Sequence, residues 1–66
     1  MNSQARDSIH KVKESLKSAQ QGLRISAGEV ENSNIKKQIN TQLTQVTTCL
    51  GECEKIASGL SQHKNH

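Results

Sequence analysis

Two apolar stripes, each stepping by three and four residues, constrain this chain more than any other feature. In the first half Ala5, Ile9, Val12, Leu16, Ala19 and Leu23 are separated by 4, 3, 4, 3 and 4 positions. In the second half the stripe runs Ile35, Ile39, Leu43, Val46, Leu50, Cys53, Ala57 and Leu60, and from Leu43 the steps alternate strictly between 3 and 4. An α-helix turns once per roughly 3.6 residues, so this spacing lines one helix face, and strand alternation fits neither half. The first stripe reads as a heptad seam, with Ile9, Leu16 and Leu23 on one row and Val12 and Ala19 on the other. After Leu23 the register loosens through Ser26, Ala27 and Val30.

The break between the stripes spans Gly28 to Asn34. Gly28 is expected to supply a left-handed or flexible helix end, and Glu31, Asn32, Ser33 and Asn34 form a turn-rich polar cluster. Ser33 or Asn34 is expected to cap the second helix, and Asn2 or Ser3 the first, with Asp7 near the first turn. The spacing therefore predicts one domain over 1–66: a helix at about 3–27, a loop at about 28–34, a helix at about 35–61 and a frayed tail at 62–66. Helices of matched length joined by a short connection form an antiparallel hairpin. One hairpin leaves half of each stripe in water, whereas two hairpins bury it in a four-helix bundle. The expected fold class is all-α, a helical hairpin self-associating as a homodimer or larger assembly.

Composition sharpens that expectation. The 66 residues include no Phe, Tyr, Trp or Pro, so any core is built from mid-sized aliphatics. This disfavours a pocketed enzyme and an aromatic platform for stacking bases. A single core below about 70–80 residues rarely supplies more than about 3–5 kcal/mol, and the chain's two cysteines offer at most one bridge. Partnering is the remaining route to stability. No apolar run is long enough to cross a membrane, and Met1 to Arg6 lead into a charged stretch rather than an apolar leader. The expected compartment is the cytoplasm, with both thiols reduced.

Within the second helix, Gly51, Gly59 and four threonines (Thr41, Thr44, Thr47 and Thr48) weaken the helix by propensity, and Gly22 does the same in the first. The segment from Gln38 to Gly51 carries no charge. The plain reading is a mediocre helix held by packing. The functional one is a close approach of another helix at Gly51, with threonine hydroxyls bonding across it.

Candidate chemistry is sparse. Cys49 and Cys53 lie four apart on one helix face, and thiolates at that spacing can contribute to a zinc site completed by His10, His63 or a second copy. The spacing is not that of a zinc knuckle, and Cys53 falls in the apolar stripe, where a thiol is a small core residue. The core reading prevails, and neither a metal nor a cofactor is expected. His10, His63 and His66 form no triad with a serine, the glycines are scattered singly, and Glu52 and Glu54 point in different directions. No catalytic residue is assigned, and the chain is expected not to be an enzyme.

Charge offers one further candidate. Nine Lys and Arg against six Asp and Glu give a net charge of +3. Arg6, Lys13, Lys17 and Arg24 fall broadly along one side of the first helix. A two-fold dimer doubles that side, and a basic hairpin dimer can grip RNA through its phosphates, in the manner of plasmid copy-number control hairpins. A solvated helix face is the plainer account of the same charges.

Two resemblances follow from short runs. Ser3-Gln4-Ala5-Arg6-Asp7 resembles the Ser-Gln-Glu-Leu-Asp motif of small sporulation-control phosphatases that act on a response-regulator aspartyl phosphate. Three of five positions agree, and the motif opens this chain where that family carries it on a later helix, so Asp7 is not read as catalytic. The run from Ser15 to Leu23, followed by Ala27 and Asn34-Ile35-Lys36-Lys37, is similar to a family of short, uncharacterised two-helix proteins from spore-forming Bacillota. That family's acidic C-terminal segment is missing here. The resemblance implies a small helical assembly protein with a link to sporulation.

The functional expectation is a small, non-enzymatic interaction or regulatory protein acting through exposed helix faces. Its assembly residues are Ile9, Val12, Leu16, Ala19, Leu23, Leu43, Val46, Leu50, Cys53, Ala57 and Leu60. RNA binding through the basic side and a phosphatase-like role are the alternatives.

Overall fold

The computed structural model describes residues 2–63, with side chains described over 3–61. It consists of two α-helices, α1 (Asn2–Glu29) and α2 (Ser33–His63), packed against each other as an antiparallel hairpin. The expected all-α hairpin is therefore what the chain forms. The helices hold 28 and 31 residues, or about 42 and 46 Å of rise. The hairpin measures 52 by 14 by 12 Å.

Both helices run further into the connection than the turn-forming residues suggest. Gly28 lies inside α1, and no described glycine has positive φ. The left-handed helix end expected there does not form, because the Val30 amide still donates to the Ser26 carbonyl at 3.0 Å and keeps the last turn helical. The connection shrinks to three residues, Val30, Glu31 and Asn32. Asn32, rather than Ser33 or Asn34, caps α2: its Oδ1 accepts from the Ile35 amide at 3.0 Å, and its carbonyl accepts from Lys36 N at 2.9 Å.

At its start α1 is helical from Asn2 and has no acid in its first turn. Asp7 thus lies too far along to gain much from the helix dipole. Asn2 and Ser3, the expected caps, lie within α1 itself, and the tail from Lys64 to His66 lies outside the described residues. Gln62 and His63, expected to fray, belong to α2.

The seam differs from the expected stripe by one residue at several positions. In α1 the seam runs through Arg6, Ile9, Lys13, Leu16, Gln20, Leu23, Ala27 and Val30, all half-buried, with Ala5 half-buried beside its start. Lys13 and Gln20 take the places expected of Val12 and Ala19, which are exposed. The reason lies in the second half of α1. A straight row that includes Leu23, Ala27 and Val30 extends back through Gln20 and Lys13, and a row through Val12 and Ala19 would continue to Ser26 instead. In α2 the row is Lys36, Ile39, Leu43, Val46, Leu50, Cys53, Ala57 and Leu60, stepping by 3 and 4 throughout. Ile35 is left 45% exposed beside it.

Among the described residues only Cys53, at 8% exposure, is buried. The remaining seam residues keep part of their surface in water, as one layer of contact between two cylinders requires. No glycine is needed for that contact, because a Cβ built on any of the four meets nothing within 4 Å. The close approach suspected at Gly51 is thus not made within the hairpin. Gly22 is exposed in the middle of α1 and costs up to about 1 kcal/mol relative to alanine. We expect Gly22→Ala to raise the thermal midpoint, read by circular dichroism, by several degrees, in line with about 4–8 °C per kcal/mol for a domain this small. A lowered midpoint would mean that this surface is packed.

Candidate functional site

The antiparallel pairing gives the hairpin two unlike sides. Antiparallel partners are related by a local two-fold normal to the plane of the hairpin, so corresponding positions flanking the seam fall on the same side in both helices. One flank follows the Leu16-type seam positions by one residue, as His10, Lys17 and Arg24 do, and the other precedes the Gln20-type positions by one residue, as Val12, Ala19 and Ser26 do, with the same offsets in α2. The two flanks can therefore be followed separately.

The first flank is polar. Ser3, His10, Lys17 and Arg24 of α1 lie on it with Asn40, Thr47, Glu54 and Ser61 of α2. Two observations fix this grouping. Gln20 Nε2 donates to Thr47 Oγ1 across the helices at 3.0 Å. Arg6, Asp7, His10 and Lys13 line an open groove with Ala57 and Ser61 near the chain ends. The basic side expected from the sequence is thereby brought into one row: Arg6, His10, Lys13, Lys17, Gln20 and Arg24 step by 4, 3, 4, 3 and 4 along α1. Arg6 and Lys13 are half-buried at the seam edge, and Lys17 and Arg24 are exposed. Long basic side chains can lay their stems on apolar surface while the charge stays in water. The Arg6 Nε is enclosed without a hydrogen-bond partner. Gln20 and His10 join this row without belonging to the hydrophobic stripe. Their step pattern with Arg6, Lys13, Lys17 and Arg24 was the available signal.

The second flank is uncharged. It carries Ala5, Val12, Ala19 and Ser26 of α1 and Ile35, Gln42, Cys49 and Ile56 of α2. Val12, Ile35 and Ile56 are 44%, 45% and 49% exposed. Of the eleven residues expected to carry assembly, nine are half-buried or buried along the hairpin's own seam: Ile9, Leu16, Leu23, Leu43, Val46, Leu50, Cys53, Ala57 and Leu60. Val12 and Ala19 stand apart on this flank.

The threonines of α2 do not act as a set. Thr41 and Thr44 hydroxyls donate back to the Lys37 and Asn40 carbonyls at 3.0 and 3.1 Å, and Thr47 alone bonds across to α1. Lys55 and Glu52 form an exposed ion pair at 3.6 Å, of little energetic weight.

The two cysteines are free, Cys49 exposed and Cys53 buried. Burial pushes the Cys53 thiol above its ordinary value, and neighbouring Cys49 adds to the rise, while Lys13 across the seam opposes it. A thiol held in its neutral form is a core group and a poor nucleophile. His10 lies on the polar flank with Arg6 and Lys13 rather than with the thiols, and no group of three or more His, Cys, Asp or Glu gathers among the described residues. No described helix is long and apolar enough to cross a membrane. No family model, curated protein or solved structure matches this chain.

The thiol environment makes a direct prediction. In a Cys49→Ser variant, the remaining Cys53 should react with an aromatic disulfide reagent at least about tenfold more slowly in the native state than in denaturant. Equal rates would show that the seam at Cys53 is open.

Proposed function

We propose that this chain is a small, non-enzymatic interaction protein that works through its exposed helix faces and self-associates, as a dimeric four-helix bundle, in the cytoplasm. The observation that carries the reading is the hairpin's incomplete burial. Among the described residues of two helices totalling 59, a single one is buried. A core of that size rarely holds a small domain by itself, which supports a second surface covering the seam. The link to sporulation implied by the resemblance to the two-helix proteins of spore-formers belongs to the same reading.

Light scattering on a size-exclusion column at several concentrations, with reductant and chelator present, tests it. We expect a helical dimer or tetramer. Leu16→Asp and Leu50→Asp place a carboxylate in the seam, and each should abolish helicity and assembly together. A wild-type monomer at all concentrations, or assembly retained in both variants, would sink the proposal.

A second reading has its own support, the single row formed by Arg6, His10, Lys13, Lys17 and Arg24 on the polar flank. That row suits the phosphates of an RNA helix, though Asp7, Glu14 and Glu54 lie close by. It predicts an affinity that falls steeply with salt, with the slope reduced by about one to two in Lys13→Gln/Lys17→Gln. Binding that persists unchanged at high salt would exclude phosphate contacts.

A further inference from the structure

The uncharged flank differs from every other surface of the hairpin. Its eight positions, Ala5, Val12, Ala19 and Ser26 with Ile35, Gln42, Cys49 and Ile56, hold no charge in a chain with fifteen Lys, Arg, Asp and Glu. Three of the four large apolar residues left exposed among the described residues, Val12, Ile35 and Ile56, lie on it; the fourth, Ile25, faces away from the seam. The opposite flank is polar at all eight of its positions. Neither row reflects an unmet need of the hairpin itself, whose seam is filled from the positions between them.

We propose that this flank is the docking surface for a second copy of the chain, laid antiparallel so that the connection of one hairpin covers the chain ends of the other. The inference rests on the self-association proposed above and assigns it a face and an orientation.

Three features favour a second copy as the occupant. An identical uncharged face brings no unpaired charge into the contact, whereas any charged partner would have to bury one. The side of the hairpin that carries this flank is 52 Å long and 14 Å wide, roughly 700 Å² in projection, so a copy covering the whole side approaches the about 800 Å² per partner of a stable interface. Covering it also closes one side of the half-exposed seam, which nothing within the chain does.

Side-chain sizes set the orientation. Bulky Val12 and small Ala19 lie to either side of the middle of α1. An antiparallel second copy sets each Val12 against an Ala19, so that large fills small. A parallel copy sets Val12 near Ile56 and leaves Ala19 over Cys49, crowding one end and opening a gap in the middle. The Gln20–Thr47 bond sets the middle of α1 level with about residue 51 of α2, two positions from Cys49. The antiparallel two-fold therefore brings the two Cys49 residues within roughly 6–8 Å of each other along the helix, and the parallel arrangement places each over α1 of the other copy instead.

The test joins solution mass with thiol cross-linking on the full chain. Val12→Glu and Ile56→Glu, both on the uncharged flank, should weaken dimerisation at least about a hundredfold by burying an unpaired carboxylate, while Lys17→Glu on the polar flank should leave it unchanged. In a Cys53→Ala background, a short bismaleimide should join two chains through Cys49, each thiol adding across one maleimide double bond. Covalent dimer as the main product below the dissociation concentration of Val12→Glu supports the proposal. A dimer that ignores both glutamate variants, or a dimer whose Cys49 residues fail to cross-link, overturns it while leaving self-association standing. A wild-type monomer removes both. If the glutamate variants fail to fold, cross-linking in the unaltered face still decides between the two orientations.

Discussion

Everything in this molecule depends on one seam, the contact line between two antiparallel helices in which residues three and four apart meet. It is a thin contact. Two cylinders touch along a line rather than enclosing a volume, and with no aromatic side chain to widen that line only Cys53 among the described residues loses nearly all its exposure. The seam also includes polar residues: Lys13, Gln20 and Lys36 occupy positions that a fully buried core would refuse. They are tolerated because their polar ends reach water past the edge of the contact, and Gln20 finds Thr47 on the other helix.

The same thinness gives the hairpin its two characters. Residues flanking the seam are neither core nor fully free surface, so their chemistry decides what each side can do. On one flank the row from Arg6 to Arg24 gathers positive charge beside the hydroxyls and amides of α2. On the other, small and aliphatic residues form a surface with no charge at all. A hairpin built this way can carry assembly on one side and recognition on the other without either compromising the seam. The glycines and threonines of α2 fit that picture as plain helix positions, since none of the glycines is pressed by a neighbour and the Thr41 and Thr44 hydroxyls return to their own backbone.

Much of the fold was legible from spacing. The two helices, their antiparallel pairing and the whole of the α2 seam from Ile39 to Leu60 follow from positions of apolar residues. The boundaries were less legible, because Gly28 and the Asn-Ser-Asn cluster favour a long loop by composition. The backbone instead kept bonding through Val30, and Asn32 capped α2 before Ser33 could. The α1 seam was ambiguous. Ile9, Leu16 and Leu23 fit a row through Val12 and Ala19 as well as one through Lys13 and Gln20, and hydrophobicity favours the first. Ala27 and Val30 decide for the second, since a straight helix against a straight partner presents one continuous row.

By itself, then, the sequence determined that this chain forms two amphipathic helices and folds them together, because a 3.6-residue helix turns a three-and-four spacing into a face whatever lies opposite. Only the tertiary structure decided the rotation of α1 about its own axis. That rotation moved Lys13 and Gln20 into the seam, left Val12 and Ala19 outside it, and separated a basic flank from an uncharged one. A single helix cannot fix it, because the rotation that buries most is defined only once a second helix supplies the surface to be matched.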